Sequence, residues 1–211
     1  MYPVKKFRIL GLLLAAQTCH AMTNQIEFSL GRGSPESSIQ VGGSAENPGD
    51  RGHAWSADWL HQNGPYVYWG IGGGHFNSED HTTTTFVPTK LSILSTRSTS
   101  IFLLSRVDLT PPSKLVPYVI FGTGWDRTSI SATAGSTPVI DESHSTLGYM
   151  AGGGIDWPLT DRLFIGAEAR YQSALQRNYD LTPEGQALTG QATVQSTMKV
   201  FFLNLKAGIK Y

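Results

Sequence analysis

"VFFLNLKAGIKY", residues 200–211, decides how the rest of the chain is read. Phe201, Leu203, Leu205, Ala207, Ile209 and Tyr211 fall on one face of an extended strand. Phe202, Asn204, Lys206, Gly208 and Lys210 fall on the other. Period two is the β-strand period. Strands of globular domains average about five or six residues, whereas a tilted strand crossing a bilayer needs about nine to eleven. This run is long enough to cross.

The same alternation recurs upstream. "LFIGAEARYQ", 163–172, sets Leu163, Ile165, Ala167, Ala169 and Tyr171 against Gly166, Glu168, Arg170 and Gln172. "TLGYMAGGGIDW", 146–157, sets Leu147, Tyr149, Ala151, Ile155 and Trp157 against Gly148, Gly152, Gly154 and Asp156. "VPYVIFGTGWD", 116–126, opposes Val119, Phe121 and Trp125 to Gly122, Gly124 and Asp126. In "TSIFLLSRVDL", 99–109, both faces carry apolar residues, and Arg106 with Asp108 identifies the polar one. "YVYWGIGGGHF" at 66–76, "HAWSADWLH" at 53–61 and "QIEFSLGRG" at 25–33 complete a set of eight.

The connections alternate. Long Ser/Thr/Gly-rich ones start near 32, 77, 127 and 173, and short ones near 62, 110 and 158. That rhythm predicts an all-β fold: an eight-stranded antiparallel transmembrane β-barrel with short periplasmic turns and four long extracellular loops. A soluble sandwich has no reason to keep it.

The faces sharpen the prediction. Aromatic rings at strand ends on the apolar face, Trp55, Trp59, Trp69, Trp125, Trp157, Tyr171 and Tyr211, suit girdles at the two membrane interfaces. The opposite face carries Glu27, Asp58, Arg106, Asp126, Glu168, Arg170 and Lys206 among glycines. An eight-stranded interior is only wide enough for side chains to fill it, so these charges are predicted to pair as a lumen network.

At the other end, Lys5, Lys6 and Arg8 precede "ILGLLLAA", and "CHA" at 19–21 leaves small residues where a signal peptidase reads. Residues 1–21 read as a Sec signal peptide cleaved near Ala21, leaving 22–211 as one barrel domain. The whole chain has 16 basic and 16 acidic residues; without the leader's three bases it has 13 against 16, near −3. That balance gives nucleic acid no basic patch. Cys19, the single cysteine, falls in the leader, so the mature chain has no disulfide and no thiol metal site.

"GYMAGGGIDWPLTDRLFIGAEARYQ", 148–172, resembles the small outer-membrane β-barrel family that includes the OmpA transmembrane domain, OmpX and opacity-type surface proteins. The likeness is a Gly-alternating strand, an "LTD" turn and a strand with inward Glu168 and Arg170. The terminal "KAGIKY" is similar to that family's assembly signal, with Lys206, Gly208 and Tyr211 in its positions; the family commonly extends to a final Phe, which is missing here. The resemblance implies bacterial outer-membrane localisation. It also implies barrel-assembly machinery, periplasmic chaperones, outer-membrane lipid and lipopolysaccharide as partners. No periplasmic peptidoglycan-binding domain is expected after Tyr211.

Three functions remain open. The first is a non-enzymatic surface protein, for adhesion, host-factor resistance or envelope integrity, whose loops meet a host or surface ligand. These loops read as polar, with few large apolar anchors, and Arg97 and Arg127 at the rim could meet lipopolysaccharide phosphates. The second is a narrow gated ion pore. The third is a lipid A acyl hydrolase or transferase built on His75 of "HFNS" or on Asp141, Glu142, His144 and Ser145 of "DESHS". In "HFNS", Asn77 takes the Ser place of the lipid A 3-O-deacylase motif, so Ser78 points away from His75. "SEDH" at 78–81 reads as solvated loop, and no metal or cofactor is expected.

Overall fold

The computed structural model describes residues 23–36, 38–47, 51–87, 89–111 and 113–211; the predicted leader lies outside them. In chain order the strands are β1 (Asn24–Pro35), β2 (Ser38–Val41), β3 (Ser44–Glu46), β4 (Gly52–Gln62), β5 (Val67–Ser78), β6 (His81–Thr83) and β7 (Ser92–Asp108). Then come β8 (Val116–Ala134), β9 (Thr137–Pro158), β10 (Leu163–Ala174), β11 (Arg177–Asp180), helix α1 (Pro183–Thr189), β12 (Thr193–Thr197) and β13 (Lys199–Lys210).

Eight of these close into a barrel. β1 pairs with β4, β4 with β5, β5 with β7, and so on through β8, β9 and β10 to β13, which returns to β1; each pairing is antiparallel. The last pairing puts Leu205 opposite Leu30 and Ile209 opposite Ile26. β1, β5, β10 and β13 each have 12 residues, about 40 Å of strand at ~3.3 Å per residue. Tilted by about 45°, that length covers about 28 Å of bilayer normal, close to the ~30 Å hydrocarbon core.

The pleat separates two environments. Leu205 is 75% and Leu30 70% exposed, while Ile120, on the inner face, is fully buried. Phe28, Ile71, Ile101, Leu103, Phe121 and Leu203 join the exposed apolar belt. A water-soluble monomer does not carry a belt of that extent; lipid covers it.

The long-loop end departs from the sequence reading. Residues 127–145, expected as loop, continue β8 and β9 as a hairpin closed at Gly135, whose φ of +66° turns the chain. Ile130, Ala132 and Ala134 alternate with Ser and Thr there, which keeps one face buried. Likewise β7 begins at Ser92, inside the span expected to be polar loop. The first and last loops contribute β2, β3, β11 and β12 to a separate sheet ordered β11-β12-β2-β3. Ile39, Phe86, Leu94, Ile130, Ile140 and Val194, all at most 1% exposed, belong to the core between these parts. The loops therefore contain large apolar anchors after all, and they form a packed cap. Helix α1 joins it: Thr182 Oγ1 caps Gly185 N at 2.9 Å, and a Cβ on Gly185 would collide with the Val139 carbonyl oxygen.

Candidate functional site: the lumen and the cap

Arg106 is fully buried at the centre of one lumen cluster. Its Nη1 donates to Glu27 Oε1 at 2.6 Å, its Nη2 to Asp156 Oδ2 at 2.6 Å and its Nε to Asp108 Oδ1 at 2.9 Å. Lys206 Nζ stands 2.9 Å from both Glu27 Oε2 and Asp156 Oδ1. Both cations lie against the Tyr118 ring, the guanidinium carbon 3.8 Å and Nζ 4.1 Å from its centroid. Burying five charges is unfavourable unless every one is paired. Here each nitrogen finds an oxygen, in the charge-assisted geometry that makes such bonds strong.

A second cluster lies further from the short-turn end. Arg170 pairs with Asp58 and with Glu168. Tyr118 donates its hydroxyl to Glu168 at 2.8 Å and so links the clusters. Six of the seven inward charges named from sequence thus meet in these two groups. Asp126 does not. It is fully buried, but its carboxylate is held by Ser98 (2.6 Å), Thr128 (2.6 Å) and Gln172 (2.5 Å) rather than by a cation. Sequence reasoning put Asp108 and Asp156 on the polar face without counting them in the network, and it missed Tyr118. The signal for Tyr118 was available: it shares parity with Asp126 and sits opposite Gly154, where a Cβ would stand 2.5 Å from the tyrosine hydroxyl.

Apolar layers fill the remaining lumen. Leu60, Tyr68, Phe102, Leu104, Ile120 and Met150 pack inside the barrel. Nearer the cap, Phe76 and Phe202 meet edge to face at 5.8 Å, with Met198 and Val200 beside them. The cap core closes the column above.

The cap turns a polar face outward. Asn178, Gln195 and Gln40 occupy one cross-strand row on β11, β12 and β2, all exposed. Gln176 donates to Gln195 at 3.0 Å in the same patch. Beneath it, Tyr179 is buried against His144, ring centroids 4.8 Å apart. Burial pushes its phenol up to about 12, and the Asp126 and Glu142 carboxylates add to the effect.

The outward aromatics form two rows. Trp59, Trp69, Trp157 and Tyr211 lie toward the short turns, and Trp55, Trp125 and Tyr171 toward the cap. All are more than 40% exposed except Tyr171, which is half-buried. Trp59 Nε1 donates to the Tyr211 hydroxyl at 3.1 Å, and the Tyr211 backbone exchanges two 2.9 Å hydrogen bonds with Asn24. Gly208 has a local reason to be glycine: a Cβ there would run into Phe164 Cζ.

Of the candidate enzyme residues, Glu142 and His144 come together, while His75 and Ser78 are held apart by other partners. His75 Nδ1 lies 2.9 Å from Thr99 Oγ1; Asn77 accepts from Arg97 at 3.2 Å, and Ser78 Oγ accepts from the Thr96 amide at 2.8 Å on the other face. The "DESHS" residues belong to β9 rather than to a loop. There Glu142 Oε2 accepts from the Asp180 amide at 2.6 Å and lies 3.2 Å from His144 Nε2, tying β9 to β11. Ser143 receives Arg127 Nη2 at 3.1 Å on the opposite face. In "SEDH", Glu79 faces Arg32 (3.8 Å) and His53 (4.0 Å). Among the described residues no three His, Cys, Asp or Glu side chains converge on a metal position.

No protein-family model and no curated protein matches the chain. Solved structures do. The outer membrane protein OprG from Pseudomonas aeruginosa superposes with a TM-score of 0.59 at 14% identity, over 92% of this chain and 98% of that one. A major outer membrane protein from Thermus thermophilus gives 0.55 at 13% identity, over 91% and 100%. The outer membrane protease OmpT from Escherichia coli gives 0.51 at 9% identity, over 92% and 100%. Identities this low speak for fold and not for activity. The chain has the fold of the small outer-membrane β-barrels.

Proposed function

We propose that this is a non-enzymatic protein of the bacterial outer membrane that presents its cap as a surface for recognition. The observation that carries the reading is the cap itself: two loops share a sheet with its own apolar core above a lumen filled by ion pairs and rings. Loops that only cover a barrel need no such core, whereas a rigid, amide-lined face reduces the entropy cost of binding. The ligand class that fits Asn178, Gln195 and Gln40 is polar and uncharged, a glycan or a peptide backbone. On this reading the chain is exported through the Sec pathway, and Lys206, Gly208 and Tyr211 serve as the signal for the assembly machinery. Arg97 and Arg127 at the outer rim meet lipopolysaccharide phosphates. The filled lumen disfavours the pore, and the scattered histidines disfavour the lipid A enzyme.

The test is display in a non-adherent bacterium against immobilised glycans and matrix proteins. Binding gained with the native chain and lost in the Gln40→Ala/Asn178→Ala/Gln195→Ala triple variant, with folding verified by heat-dependent gel migration, supports the reading. Binding that survives the triple variant, or no binding to any surface, contradicts it.

A further inference from the structure

On β7, β8 and β9 the outward residues form cross-strand rows whose chemistry changes abruptly toward the cap. Ile101, Trp125 and Leu147 make an apolar row, all exposed. The next row is Thr99, Arg127 and Ser145, and the one after it Arg97, Ser129 and Ser143. Above those stand Ser95, Ser131 and Asp141. β8 and β9, with 19 and 22 residues, are long enough to carry this hydroxyl-rich wall past the apolar belt.

The two arginines face each other diagonally, because Arg97 is opposite Ser129 and Arg127 is two residues before it. Diagonal neighbours stand about 7–8 Å apart, a gap that one phosphate group can bridge. Both side chains are exposed, and both are held by neutral groups. Arg97 Nε donates to Asn77 Oδ1 at 3.2 Å and Arg127 Nη2 to Ser143 Oγ at 3.1 Å. Among the described residues neither takes part in an ion pair. Arg32, on β1, differs: Glu79 stands 3.8 Å from it. The positive charge on this face is therefore oriented and not neutralised from within the chain.

We propose that this face docks a single phosphorylated glycolipid of the outer leaflet. Its acyl chains lie on Ile101, Trp125 and Leu147, and its phosphate is clamped between Arg97 and Arg127, whose planar forks suit that group. Its sugars rest on the hydroxyls of Ser129, Ser143 and Ser131. Asp141 in the top row disfavours a further anion at that height, which leaves neutral sugar hydroxyls as the fit there. The order of apolar, cationic and hydroxyl rows matches the order of groups within such a lipid. An anionic phospholipid lacks the sugars, and free phosphate lacks the chains. This deepens the rim contact proposed above, and it rests on the reading that the cap faces outward.

Native mass spectrometry of the full chain in micelles, titrated with lipid A bearing its phosphates, tests the site. One lipid per chain is expected to stay bound. Phosphatidylglycerol and dephosphorylated lipid A should bind at least about tenfold more weakly, and Arg97→Gln/Arg127→Gln should weaken lipid A by a similar factor. Arg32→Gln should leave binding unchanged. Folding of each variant is verified by heat-dependent gel migration. Equal binding by the double variant, equal affinity for phosphatidylglycerol, or several lipids held without preference overturns the proposal. Gln40→Ala/Asn178→Ala/Gln195→Ala should retain the lipid, so a failed adhesion assay with selective lipid binding intact strikes the cap's recognition role alone. Adhesion without selective lipid binding strikes this site alone.

Discussion

Leu205 gives the sharpest test of where this chain resides. It is the seventh of the 12 residues of β13, opposite Leu30 and Ala167, and it is 75% exposed. In a water-soluble protein an exposed Leu→Arg change is worth within about ±0.5 kcal/mol. At the midplane of a bilayer the same change costs about 2–4 kcal/mol, falling to about 0–1 near the interface. Leu159, in a short turn and 56% exposed, is the control at the rim. Leu205→Arg should therefore lower the free energy of unfolding in phosphatidylcholine vesicles by about 2–4 kcal/mol, and Leu159→Arg by at most about 1. Urea titration followed by tryptophan fluorescence reads both. Equal, near-zero costs would mean that Leu205 faces water, and the membrane account would fail despite the strand geometry.

Other consequences follow from the interior. Arg106→Met leaves Asp108 without a cation and should cost about 3–5 kcal/mol in the same titration, with partial recovery in the Arg106→Met/Asp108→Asn double variant; additive costs would deny the pairing. Gly208→Val drives a side chain into the Phe164 ring and should slow folding into vesicles, measured by gel migration, while Gly208→Val/Phe164→Ala recovers it. Tyr179 is held neutral by the fold up to about 12, above its ordinary value of about 10. Stability from this group is present below pH ~10 and is lost as pH rises from there through 12. Protease sensitivity of the cap should rise across that window in the native chain and not in Tyr179→Phe.

Much of the wall was legible in the sequence because a pleated strand must alternate, and a lipid face on one side with a filled lumen on the other makes the alternation visible. Phe201 to Tyr211 against Asn204 to Lys210 is the clearest case. The cap was not legible, for a physical reason. Ile130, Ala132 and Ala134 alternate with Ser131 and Thr133, but Ser and Thr are common in loops as well as strands, and the cluster that buries Ile130 includes residues as distant as Ile39 in β2 and Val194 in β12. Ile39 and Val41 form too short a run to declare a strand, because their sheet exists only once β12 is beside them. In the lumen, parity found the charges but could not show which pair. Arg106 reaches Glu27 from 79 residues away, a fact of barrel closure and not of spacing.

The most direct test of the central claim is labelling of single cysteines in intact cells with a membrane-impermeant maleimide. Gln40→Cys and Gln195→Cys, on the cap, should react in intact cells. Ser113→Cys, in a short turn, should react only after the outer membrane is permeabilised. Labelling of Ser113→Cys in intact cells, or protection of Gln40→Cys, would invert or abolish the proposed orientation, and the cap could not be the surface this protein shows to its surroundings.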